Sequence, residues 1–154
     1  MKPKDFAFAA LVLALFAPFF LFPDALAAYK TANAQHPLLL SFLKFAVLAT
    51  LGECLGLRIR TGRYNQPGFG ILPRAVVWGV LGVTIKAAFT IFTAGTPRFL
   101  AELGATLPPD ILKQPFSGLK LLASFSVSVA MNLVFAPWMM TLHKVTDDHI
   151  GRTG

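Results

Sequence analysis

The chain has 154 residues, 55% hydrophobic and only 14% charged, against about a quarter charged in an ordinary globular domain. Its formal net charge is +7, yet nearly every basic residue falls outside four long apolar blocks, so the charge reads as membrane orientation rather than nucleic-acid binding. Four such blocks leave too little chain for a water-soluble core, which excludes a soluble globular fold and a second domain.

The blocks cover residues 6–22, 37–57, 75–94 and 119–142, each near the roughly 20 residues a transmembrane helix needs. Backbone groups in lipid must be satisfied within their own segment, so the spans are helices. The expected fold is all-α: one integral-membrane four-helix bundle over residues 1–154.

Lys2 and Lys4 precede the first block, and Ala25-Leu26-Ala27 follows it, the outline of a cleaved secretory signal. The block is longer than a signal core and ends in Phe19, Phe20 and Phe22, so it is read as a retained helix. Residues 23–36 read as a short polar loop. The basic connection 58–73 contains Gly62, Pro67, Gly68 and Gly70, which oppose regular structure. In the longest connection, 95–118, Phe99, Leu100, Leu103 and Leu107 share one helical face. That spacing suits a short interfacial helix between the third and fourth spans, ended by Pro108-Pro109, with Asp110 capping a further turn. Pro18 and Pro137 should bend the first and last helices. Gly52 with Gly56, and Ser124 with Ser128, are small-residue pairs suited to helix contact.

Four crossings put Lys2, Lys4, Arg58, Arg60, Arg63, Arg74, Lys144 and Arg152 on one side. Lys30, Arg98, Lys113 and Lys120 lie on the other. Eight against four predicts that both termini are cytoplasmic.

The polar residues inside the spans are Lys44, Glu53, Thr84, Lys86 and Asn132. Counted from the basic side, Lys86 lies roughly 18 Å deep and Asn132 roughly 16 Å. At this shared level Lys86 is expected to donate to the Asn132 carbonyl. Glu53, the only in-span acid, is its default counter-charge. Lys86 and Asn132, flanked by Lys44 and Glu53, would then line a polar cavity. The plainer reading has Lys44 snorkelling, Glu53 paired with Arg58 or headgroups, and Asn132 as interhelical glue. Arg58, Arg60, Arg63 and Arg74 suit anionic lipid headgroups or a phosphorylated ligand, although topology alone also calls for arginines there.

Cys54 is the only cysteine, so no intrachain disulfide forms and the thiol reads as a small apolar group. His36, His143 and His149 fall at different ends or sides, leaving no metal-ligand set and no catalytic pair. Phosphate-cradling, nucleophile-elbow and dinucleotide motifs are absent. No enzymatic activity, cofactor or nucleic-acid partner is expected. The expected partners are the bilayer, its anionic lipids and further copies of the chain, because four helices leave little room for a central pore.

Arg60-Thr61-Gly62-Arg63, followed by Gly68, Gly70, Pro73 and Trp78, resembles the small four-helix family of the twenty-two-kilodalton peroxisomal membrane protein and its mitochondrial inner-membrane relative. Asn132 five residues ahead of Pro137 repeats another element of that family, and the order agrees over about residues 50–140. Thr90-Ile91 stands where family members carry Asp-Gln after the third-helix Lys. The usual Trp-Pro before the last helix is also missing. The absence of a eukaryote-like amino extension suits a bacterial relative in an inner membrane, and the resemblance implies a membrane protein of a family proposed to form pores or permeation routes. The expected function is therefore a small channel or permeation pathway for ions or metabolites. The alternative is a structural or assembly protein that transports nothing.

Overall fold

In the computed structural model, residues 2–108 and 110–153 are described. They form α1 (Pro3–Leu21), α2 (Pro23–Gln35), α3 (Pro37–Thr61), α4 (Ile71–Glu102), a 3-10 turn (Ile111–Lys113), α5 (Gly118–Ala130), a π-helical turn (Met131–Phe135) and α6 (Ala136–Thr153). No strand occurs among the described residues. Four helical segments are long and apolar enough to cross a membrane: α1, α3, α4 and the continuous run Gly118–Thr153.

The chain divides into two compact units, Met1–Leu40 and Ser41–Gly154. In the first, α1 packs on α2, with the Phe19 and Tyr29 rings edge to face at 5.3 Å. The carboxylate of Asp5 reaches back to the Lys2 backbone N–H at 2.7 Å and closes the first turn of α1. Residues 23–36 are a helix where a loop was expected. Pro23 sits at the first helical position, where its missing N–H costs nothing. Ala25, Ala27, Ala28, Ala32 and Ala34 then favour the helix by propensity, and packing against α1 adds to it.

The second unit holds three of the long helices: α3 from Ser41 onward, α4, and the α5–α6 run. The fourth long helix, α1, belongs to the first unit. Helix α4 has 32 residues, far beyond the expected 75–94, or about 48 Å at 1.5 Å per residue. It continues through Pro97, which is buried with Thr96, so residues 98–102 form its last turn. Gly104, with φ 95°, then ends it. The segment foreseen as an interfacial helix therefore begins as the end of α4. Pro109 lies outside the described residues. Asp110 does not cap with its side chain; its Oδ1 accepts from Gln114 Nε2 at 2.9 Å.

Ser117 caps α5 by accepting the Lys120 N–H at 3.2 Å. Pro137 has no N–H for the Leu133 carbonyl, and its ring crowds the preceding turn. The helix relieves this by widening into the π turn. Beyond it α6 runs to Thr153, eleven residues past the expected end at 142.

Packing between α4 and α5 centres on Ala88, Val127 and Met131, with Phe92, Leu112 and Phe135 against them. Between α3 and α4 the close approach is at Gly79 and Gly82, which receive the rings of Phe42 and Phe45. Gly52 and Gly56, the expected contact pair, face open space, and Ser124 and Ser128 are exposed. Small residues permit close contact, but the rotation of each helix decides which ones meet a neighbour.

Candidate functional site

Where α3 ends and α4 begins, the turn-rich connection leaves a buried arginine among three helices. Gly70 starts α4 with φ 64°, the left-handed region that favours glycine. A Cβ there would also stand 2.6 Å from Ile150 Cγ2 of α6. Phe69 beside it is buried. Together they hold the loop against the end of α6.

One turn into α4, Arg74 donates its Nε–H to the Phe69 carbonyl at 2.6 Å and lies 4.6 Å from the centre of that ring. A cation in the first turn opposes the helix dipole, so the guanidinium needs carboxylates. It has two: Nη1 donates to Glu53 Oε2 of α3 at 2.5 Å, and to Asp147 Oδ1 of α6. Trp78, one turn beyond Arg74, donates its indole N–H to Glu53 Oε1. His143, one turn before Asp147, packs its ring against Trp78 at a tilt of 49°, with ring centres 4.4 Å apart. Its Nε2 stands 3.6 Å from Glu53 Oε1, too long for a hydrogen bond. Its Nδ1 is buried without a partner.

The side chains of Arg74 and Glu53 are only 10% and 18% exposed. Screening is therefore weak, and the pair belongs with buried ion pairs, whose disruption strands a charge. The network borders a cavity of about 910 Å³, also lined by Arg60, Thr61, Gln66, Asp148 and Arg152. That volume is typical of small-molecule sites. Glu53, His143 and Asp147 bring possible metal-donor atoms within 4.8 Å of one another. The Arg74 guanidinium already lies between the two carboxylates, so a divalent ion would have to displace it. Among the described residues no hydroxyl or thiol bonds to the His143 ring.

Of the residues expected to line a central cavity, only Glu53 joins this site. Its counter-charge is Arg74; neither Lys86 nor Arg58 fills that role. Lys86 and Asn132 do not pair: Lys86 is exposed on α4, and Asn132, also exposed, donates its Nδ2–H to the Ser128 carbonyl at 2.9 Å. Lys44 is half-buried on α3. Among the four arginines assigned to anionic contacts, Arg74 is turned inward as the hub and Arg60 lines the cavity. Arg58 bonds the Gly62 carbonyl and lies over the Tyr64 ring, and Arg63 is exposed.

The sequence reading set His143 aside and passed over Asp147 because the last helix was ended at 142. Carried further, their four-residue spacing places both on one face. No family model, curated protein or solved structure matches this chain.

Proposed function

We propose that the chain is an integral membrane protein whose charged vestibule, between α3, α4 and α6, admits small solutes to a permeation route. The observation that carries this is the buried Glu53–Arg74–Asp147 network bordering a polar cavity of about 910 Å³ at one end of the helices. The basic-residue bias assigns that end, and both termini, to the cytoplasm. A bacterial inner membrane is the setting that fits the family resemblance. Arg60, Thr61, Gly68 and Trp78, four of the residues carrying the resemblance, line the vestibule. Arg74 is matched by Glu53 and Asp147, and Asp148 by Lys144, so selectivity rests on Arg60 and Arg152 at the wall and favours small anions weakly.

Flux from vesicles containing the purified protein tests this reading. Small anions such as nitrate should leave faster than from protein-free vesicles, and faster than cations of similar size. Arg60→Glu combined with Arg152→Glu should reduce or reverse that preference. Background flux from vesicles with fully inserted protein would sink the proposal. The second reading, an assembly protein that transports nothing, is favoured by one observation, the outward position of Lys86.

A further inference from the structure

We infer that the Lys86 face of α4 docks a membrane helix of another protein, one that carries a carboxylate near the middle of its span. The inference rests on the membrane reading but not on the vestibule's role. Lys86 lies twelve residues from both Arg74 and Arg98, so roughly 18 Å of helix separates it from the basic residue on either side. A lysine stem does not cover that distance to the headgroups, so snorkelling fails. Lys86 is exposed, and its ammonium has no partner among the described residues. A charged group at this depth faces a partner or a watery cavity in a finished assembly.

The chain has no carboxylate to offer at this level. Glu53 is held by Arg74 and Trp78. Asp147 is held by Arg74, twelve residues or about 18 Å along α4 from Lys86. Asp148 pairs with Lys144, and Asp5, Asp24, Glu102 and Asp110 stand near helix ends or outside the spans. Helix α1 has no polar side chain between Phe6 and Phe22, so wherever it lies it supplies no acceptor. A second copy brings the same set of groups, and a symmetric contact here would set Lys86 against Lys86. Charge complementarity therefore selects a different protein with an in-span Asp or Glu. The surrounding surface suits close approach, since Ala87, Thr90, Thr93 and Ala94 are all exposed and small. The Thr90 and Thr93 hydroxyls are satisfied by their own helix, on the Lys86 and Phe89 carbonyls. That leaves the ammonium as the group in need of a partner.

The test uses defined probes: leucine-rich transmembrane peptides with Glu, Gln or Leu at the centre, co-reconstituted with the full chain and read by energy transfer. Vesicle flotation and resistance to alkaline extraction establish insertion first. Protein that fails to insert overturns the membrane reading, and the docking inference with it. With inserted protein, the Glu peptide should associate about tenfold more tightly than the Leu peptide, the gain expected from one polar contact in lipid. Lys86→Met should abolish the difference, and Lys86→Glu should transfer the preference to a peptide with central Lys. Three results would overturn docking alone: no preference for Glu, a preference that survives Lys86→Met, or Lys86-dependent self-association without peptide.

Discussion

Arg74 determines what the charged end of the molecule is. It sits where the helix dipole is unfavourable and is buried, so its stability depends on Glu53 and Asp147. Glu53→Leu leaves the guanidinium with one carboxylate and the Trp78 indole N–H without an acceptor. We expect a loss of about 3–5 kcal/mol, the usual cost of removing one member of a buried pair, read as a lower unfolding midpoint in detergent. Asp148→Ala is the control. Its partner Lys144 lies on the exposed face of α6 at 2.7 Å, where solvent screens the pair, and the midpoint should not move.

At the scale of the element, α4 decides the packing. An added Cβ at Gly82 would stand 2.6 Å from Phe45 Cβ. A Cβ cannot rotate away, so α3 itself must move. Gly82→Ala should destabilise by about 1–3 kcal/mol, as overpacking does. Gly52→Ala and Gly56→Ala meet nothing within 4 Å and should leave stability unchanged or raise it by about 0.5–1 kcal/mol through backbone entropy. Thermal unfolding of the three variants in one detergent checks the contrast. If Gly82→Ala behaves like the other two, the contact between α3 and α4 is misplaced. The helix ends teach a related lesson. Pro97 lies buried inside α4, and Pro137, expected to bend the last helix, stands just after a π turn in a helix that continues to Thr153.

For the whole molecule, the prediction is topological. In a Cys54→Ala background, Lys4→Cys and Arg63→Cys should be labelled by an impermeant thiol reagent from one side of sealed vesicles. Lys30→Cys and Lys113→Cys should be labelled only from the other. Accessibility of all four from one side would mean that the four long helices do not alternate across a bilayer.

Whereas the polar helix α2 was read as a loop, the solvent and the four apolar helices were legible in the amino acids, because a run of apolar residues states its preferred medium without reference to any neighbour. Glu53 likewise stood out as an acid surrounded by apolar residues. Its partner did not. Choosing Arg74 over Arg58 or Lys86 required the rotation of α4, the left-handed start at Gly70, and the continuation of α6 far enough to carry His143 and Asp147 back against Glu53. Those are relations between helices. They are set by which small residues meet which rings, and hydropathy along one strand of text does not contain them.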